Sequence, residues 1–283
     1  MKTVLLTGAG RGIGRTTALR LAGAGWHVYA GVRNPADGQA LVDALGASTP
    51  GKIEPVELDI ADDASVAALD AKLPAALDAV VNNAGIVVDG PVESLTAERL
   101  RQQFDVNVIG QVAVTRAVMP LIRAAHGRIV FVSSVSGRVS TPWTGAYNSS
   151  KFALEGMADA MRIELSPWKL PVVLIEPANT QTDMWGEAQN VFDAGVEAMT
   201  DAERELYAGH MKGMRRTLGM MQKTARPAET VAASIERALT AKRPKARYIV
   251  GLPAKLQAYS AHFTPRPLLD FVLARATGVP RKA

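Results

Sequence analysis

The 283-residue chain contains no cysteine, which excludes disulfides and any thiolate-held metal. Its four histidines, His27, His126, His210 and His262, are scattered without ligand-like spacing, so no metal site is read. Aromatic residues make up only 5%. No Lys/Arg run is interleaved with them, which argues against a nucleic-acid partner. No uninterrupted apolar run of about 18 residues is present, so no integral membrane span is expected. Strand-like residues begin too close to Met1 to leave room for a signal peptide. Low-complexity segments and linkers are missing as well. Together these absences predict a cytoplasmic protein. The net charge of +5 is mild and suits an anionic cofactor.

What is present is a chain with 48% hydrophobic residues, enough to bury a sizeable core. Short apolar runs alternate with helical stretches. Strands are expected at 28–32, 53–58, 79–81, 128–132, 171–175 and 247–250, after a first run at Val4-Leu5-Leu6. Helices are expected at 36–45, 64–73, 97–125 with a bend near 107–110, 145–165 and 227–239. This alternation predicts an α/β fold, a Rossmann-type doubly wound parallel sheet, in a single domain over 1–283. Ligands of such sheets lie beyond the carboxyl ends of the strands. Asp59, Asn82, Ser134 and Pro177 each follow an apolar run and should share that edge. After Pro177 the pattern changes. Residues 182–225 carry no strand signal but hold Met184, Met199, Met211, Met214, Met220 and Met221. They read as a helical lid over a substrate. Residues 252–283 read as a helical extension broken at Pro265 and Pro267.

The organising stretch is Thr7-Gly8-Ala9-Gly10-Arg11-Gly12-Ile13-Gly14. It sits where the first strand turns into a helix. Glycine reaches backbone angles that other residues avoid and lets main chain approach a ligand. The helix that follows offers free N–H groups and a positive dipole end, which suits a pyrophosphate. Taken alone, the turn is a weak signal, and a glycine-rich loop with no ligand is the lesser alternative.

Ser134, Tyr147 and Lys151 form the second anchor. Tyr147 and Lys151 are four residues apart in a helical stretch, hence on one face. A free phenol titrates near 10. An ammonium and an oxidised nicotinamide nearby would favour the phenolate and bring that value down. The phenol could then trade a proton with an alcohol or carbonyl oxygen, while Ser134 holds the same oxygen. A tyrosine and lysine at this spacing also occur in ordinary helices; the ordered set of motifs decides.

That ordered set runs through Thr7 to Gly14, Asp59, Asn82-Asn83-Ala84-Gly85, Asn107, Ser134, Tyr147 and Lys151. It resembles the short-chain dehydrogenase/reductases over about residues 2–182. The resemblance implies that Gly8, Gly10, Gly12, Ile13 and Gly14 cradle the cofactor. It implies that Asp59 and Ile60 meet the adenine and that Asn82, Asn83, Ala84 and Gly85 support the central strand and line the cofactor. Asn107 would hold a water linking Lys151 to solvent. Ser134 would position substrate, Tyr147 transfer the proton, and Lys151 also bind the nicotinamide ribose. Pro177, Thr180 and Thr182 would meet the carboxamide. One departure is visible: the family usually has Pro-Gly where this chain has Pro177-Ala178.

NAD-binding members carry an acid at the end of the second strand. Here Val32 occupies that place, followed by Arg33 and Asn34, with Arg11 on the same side. Guanidinium groups suit a 2′-phosphate, so NADP(H) is preferred and NAD(H) is the second candidate. Residues 147–156 and 175–177 look similar to the retinol- and 17β-hydroxysteroid-dehydrogenase-like branch. The resemblance implies a lipophilic carbonyl or alcohol substrate, with a pocket expected at Ser136, Trp143, Met184, Trp185 and Met211. A homodimer or homotetramer is expected through the long helices. Two other readings stand beside this one: a catalytically silent cofactor sensor or scaffold, and an epimerase or dehydratase using the same Tyr and Lys.

Overall fold

The computed structural model describes residues 1–181 and 184–280, and the backbone alone for 184–188. The first half alternates β1 (Thr3–Thr7), α1 (Gly12–Gly23), β2 (His27–Val32), α2 (Pro35–Asp43), β3 (Lys52–Glu57), α3 (Asp63–Ala67) and β4 (Ala79–Asn82). There follow α4 (Ala97–Phe104), a π-helical turn Asp105–Gly110, α5 (Gln111–Ala125), β5 (Arg128–Val132), α6 (Gly145–Glu164) and β6 (Val172–Pro177). The last part holds β7 (Thr180–Gln181), α7 (Met184–Glu197), α8 (Asp201–Leu206), α9 (Ala208–Thr224), β8 (Arg226–Pro227), α10 (Ala228–Thr240), β9 (Arg247–Val250), α11 (Leu252–Phe263) and α12 (Arg266–Thr277).

Seven strands form one parallel sheet in the order β3-β2-β1-β4-β5-β6-β9. Parallel strands covered on both faces need apolar residues on both faces, and alternate residues divide accordingly. Val4, Leu6, Val28, Ala30, Val81, Val130 and Val173 pack under Leu21 of α1, Leu41 of α2 and Ile235 and Leu239 of α10. Leu5, Tyr29, Val80, Ile129, Phe131 and Leu174 pack under Val118 and Ile122 of α5 and Leu154 and Ala158 of α6. The chain is thus a doubly wound Rossmann-type domain. Strand order reverses between β1 and β4, and the crevice of such sheets opens at that switch.

Local chemistry sets the helix starts. The Asn34 side chain accepts from Ala36 N–H with Pro35 opening α2, Asp62 caps α3, and Thr200 and Glu203 make a capping box on α8. The expected bend near 107–110 is the π-helical turn. Gly110 is required there because a Cβ would lie 2.4 Å from the Ile60 carbonyl oxygen.

Three differences from the sequence expectations follow. α3 ends at Ala67, and turns carry the chain to Pro74 so that Leu69 enters the core. The tail breaks once, at Thr264–Pro265; Pro267 lies in the first turn of α12, where its missing N–H is not needed. Ala97–Ala125 forms one helical rod of 29 residues, long and apolar enough by length and composition to cross a membrane, although the sequence has no uninterrupted apolar run. Here Val114, Val118 and Ile122 press one side of it onto the sheet.

Thr7 fastens the switch point. Its Oγ1, fully buried, accepts from both Asn83 N–H and Ala84 N–H at 3.0 Å. Thr7→Val keeps the shape but leaves those donors without their acceptor. The expected loss is about 1–3 kcal/mol of stability, read from urea unfolding; a loss near zero would refute the role.

Candidate active site

The glycine turn is built for close approach. Gly8 and Gly12 take φ of 65° and 53°, which favours glycine. A Cβ on Gly14 would sit 2.0 Å from the Gly8 carbonyl oxygen and 2.7 Å from Asn83 Nδ2. Asn83 Nδ2 donates to the Thr7 and Gly8 carbonyls at 3.0 and 3.1 Å, locking the turn to the end of β4. A Cβ on Gly8 would sit 2.8 Å from Ala84 Cα. Arg11 precedes α1 and its side chain does not cap the helix, so the N–H groups of the first turn have no intrahelical acceptor. Ile13 packs on the core below. These residues fit a dinucleotide: a bare backbone cradle, a helix N-terminus and exposed guanidinium groups at Arg11 and Arg33.

Other expected cofactor residues have local duties. Asn34 caps α2. Asp59 Oδ1 accepts from Ala61 N–H at 3.0 Å in a turn, and Ile60 is buried. Gly85 lies against Asn107. Asp37 was not anticipated: its carboxylate lies about where a Gly10 Cβ would reach it, at 3.0 Å. Non-glycine residues with positive φ, among the described residues, are His126, Trp143 and Lys169. Ala178 is not one of them, so alanine in place of the usual glycine brings no backbone strain. Thr180 Oγ1 donates to the Ala178 carbonyl at 2.9 Å. Thr182 lies outside the described residues.

Ser134, Tyr147 and Lys151 come together as expected. Ser134 follows β5, its Oγ accepting from Ser136 N–H at 3.1 Å and donating to the Pro177 carbonyl at 3.5 Å. Lys151, 4% exposed, donates to the Val132 carbonyl at 2.9 Å. Its ammonium lies 5.7 Å from the Tyr147 ring centre. Burial lowers Lys151 to about 8, against the pull of Glu155. Burial raises the Tyr147 phenol, and a hydrogen bond with Ser134 opposes the rise. The expected lowering of the phenol is therefore absent from the protein alone. The ammonium rests on a carbonyl, and desolvation outweighs it. Asn107 is buried beside them. Its amide is engaged by Ile86, at 2.8 Å to N–H and 3.0 Å to the carbonyl, and by Ser150 Oγ at 3.2 Å.

Sequence reasoning missed the ion cluster behind these three residues. Arg138 reaches Glu155 and Glu176 at 3.0 and 3.2 Å. Arg247 reaches Glu176 at 3.1 Å, Glu155 at 3.3 Å and Asp159 at 2.8 Å. Ser133 Oγ donates to Glu155 at 2.9 Å. Two arginines thus tie β6, β9, α6 and the loop after Ser134 together. The one available signal was Glu176, an acid in an otherwise apolar strand, which needs a cationic partner when buried.

Above the sheet edge, Trp143, Phe192, Met199 and Met214 make a third, separate cluster. Trp143 stacks on Phe192 at 5.1 Å and meets Tyr207 edge-on at 6.3 Å. Its backbone holds a φ of 76°, and its carbonyl accepts from Gly90 N–H at 2.8 Å. A cavity of about 280 Å³ lies here, lined by Trp143, Tyr207, His210, Met214, Thr277 and Val279 among others. Of the expected pocket residues, Trp143 lines it and Met211 packs behind in the same cluster. Ser136 braces Ser134 instead. The side chains of Met184 and Trp185 lie outside the described residues.

The short chain dehydrogenase family model matches residues 2–191, and the chain belongs to that family of oxidoreductases. It is 31% identical to an NADPH-dependent 3-dehydrocapnine reductase of Ornithobacterium rhinotracheale, covering 95% of each chain. It is 32% identical to human retinol dehydrogenase 16, over 100% of this chain and 90% of that one. Among solved structures, a short-chain dehydrogenase from Streptomyces avermitilis superposes with a TM-score of 0.77 at 26% identity, covering 99% of this chain and 98% of that one.

Glu155 gives the site a pH signature. Burial, reinforced by the charge of Glu176, raises its carboxyl from 4.5 to about 7. The folded chain keeps a proton there that the unfolded chain has released. That contribution to stability is complete below about 4.5 and lost as the pH rises through about 7. Unfolding free energy should fall by on the order of 2 kcal/mol between about pH 5 and pH 8. Glu155→Gln, which cannot titrate, should flatten the slope in urea melts at the two pH values. An unchanged slope would mean that the carboxyl is ionised throughout.

Proposed function

We propose that this oxidoreductase interconverts a ketone or aldehyde and an alcohol on a lipophilic substrate, with NADP(H) as its cofactor and Tyr147 as general acid and base. The observation that carries the reading is the meeting of Ser134, Tyr147 and Lys151 beyond the end of β5, two strands from the glycine turn that follows β1. When bound, the nicotinamide supplies or accepts the hydride. The chain supplies the rest. Ser134 Oγ, held by Ser136 N–H, donates to the substrate oxygen. The half-buried phenol of Tyr147, raised above its usual value, keeps its proton at neutral pH, which is the form that donates to a developing alkoxide. Lys151 and Asn107 then serve reprotonation of the phenol, Asn107 through a water. A sensor or scaffold would have no use for this intact set.

For the cofactor, Arg33 stands exposed after β2 and Arg11 at the start of α1, and the dipole of α2 begins at Asn34. Both features suit a 2′-phosphate. The relative from Ornithobacterium rhinotracheale is named for NADPH dependence. NAD(H) remains the weaker alternative. For the substrate, the cavity walls are mostly apolar. Trp143 Nε1 and His210 Nδ1 are buried without partners among the described residues. They offer a distal polar anchor to an otherwise apolar molecule. The methionines of residues 182–225 suit a lid that adapts to irregular shapes.

The decisive assay follows the absorbance of NADPH with a panel of lipophilic ketones. Tyr147→Phe should lower kcat/KM by about 10²–10⁴-fold; activity near the parent level would sink the mechanism. In the same assay Arg33→Ala should raise the Kd for NADPH by about tenfold and leave that for NADH unchanged. We further propose a subunit contact on α6, supported by the exposure of Phe152, Met157 and Ile163. Light scattering should then return two or four times the 30.0 kDa of one chain; a monomer mass would remove this assignment.

A further inference from the structure

The last two helices are apolar on the wrong side for water. In α11, Leu252, Leu256, Tyr259 and Phe263 are spaced by four, three and four residues, hence on one stripe. They are 64%, 63%, 59% and 78% exposed. The buried residues Ala254 and Ala258 lie on the opposite side of the same helix. In α12, Leu269 and Thr277 are buried, and α12 packs against α9. Leu268, Phe271 and Val272, about half exposed, lie on the far side. Single exposed apolar residues are ordinary. Seven large ones, set opposite the buried side of two consecutive helices, mark an interaction surface.

The charges around this face select its partner. α11 and α12 carry Lys255, Arg266 and Arg275 against one acid, Asp270. α9, against which α12 packs, adds Lys212, Arg216 and Lys223 and contains no acid. All six cations are exposed. A two-fold pairing of two chains through this face would set like charges against each other. An anionic lipid surface answers both features, since its headgroups meet the cations and its acyl boundary takes the apolar stripes.

We propose that α11 and α12 seat this protein on anionic membrane surfaces, lying in the interface without spanning it. α11 follows β9 directly and packs against the turn Val135–Gly137 beside Ser134. α12 leads into Thr277 and Val279 of the cavity wall. The seated face therefore borders both the reactive edge and the cavity. This surface does not depend on which substrate or cofactor is correct.

The test is flotation of the full chain with vesicles of phosphatidylglycerol and phosphatidylcholine, against phosphatidylcholine alone. The parent should float with the mixed vesicles, bind the neutral ones at least about tenfold more weakly, and be released by high salt. Leu256→Glu with Phe263→Glu should lower the partition coefficient by about tenfold or more. Both side chains are exposed, so the thermal midpoint, the mass by light scattering and NADPH affinity should stay at parental values. Lys255→Glu with Arg266→Glu should weaken binding without touching the apolar stripe. Three results would overturn the proposal: no flotation of the parent, flotation indifferent to both double variants, or a mass that falls in the Leu256/Phe263 variant, which would show a second copy covering the face.

Discussion

The contact between the end of β1 and the end of β4 is the constraint on which the site depends. Gly14 can approach the Gly8 carbonyl only because it lacks a Cβ, and Asn83 fills the remaining space with two hydrogen bonds to the same turn. Thr7 closes the knot from below. The result is a crevice whose floor is main chain, next to the first turn of α1. A side chain at Gly8 or Gly14 would part the two strands and move the whole crevice. The basic residues at its mouth are secondary to this geometry, for a guanidinium can only grip a nucleotide that the backbone has admitted.

The side chains to which the proposed mechanism gives the chemistry are held by a second device. Tyr147 and Lys151 stand on α6, Ser134 on the loop after β5, and nothing in helix or strand geometry alone aligns them. Arg138 and Arg247, each shared between carboxylates of α6 and β6, brace the helix that carries two of them against the neighbouring strand. Such a network is costly to desolvate and weak as a source of stability. Its value lies in direction: each guanidinium is held by several carboxylates at once, with Arg247 gripping both oxygens of Asp159, and so tolerates little rotation. Glu155 is one helical turn beyond Lys151, so the cluster also touches the site electrically. Asn107 acts similarly from the other flank, tying the π-helical turn to Ile86 and to Ser150 of α6.

The strands were legible because a buried parallel strand is a short apolar run, and 128–132 and 247–250 agree with the structure residue for residue. Ser134, Tyr147 and Lys151 were legible because they fall in order within a set of motifs running from Thr7 to Lys151. What stayed hidden was non-local. The composition of 64–73 is helical, yet the chain must turn toward Pro74 and bury Leu69, and α3 stops at Ala67. The partners of Glu176 lie 38 residues before it, at Arg138, and beyond β6 at Arg247. Asp37 meets Gly10 only because α2 folds back over the glycine turn. Sign and period can be read along a chain; which distant charges share a desolvated space cannot.

The cluster around Trp143 obeys different rules from the sheet. Trp143, Phe192, Met199 and Met214 form a small core of their own, joined to neither layer of the main one. Trp143 alone is fixed from below, by a left-handed backbone and the bond from Gly90. A bulky residue keeps such a φ only where its surroundings over-determine it. The indole is thus a fixed post four residues before Tyr147, and the methionine-bearing helices rest on it. Replacing a methionine there alters the shape of the cavity while leaving the ion cluster and the glycine knot untouched. On the proposed reading, substrate choice and proton transfer can therefore change independently, since one is written in a soft, separate core and the other in rigid polar contacts beneath it.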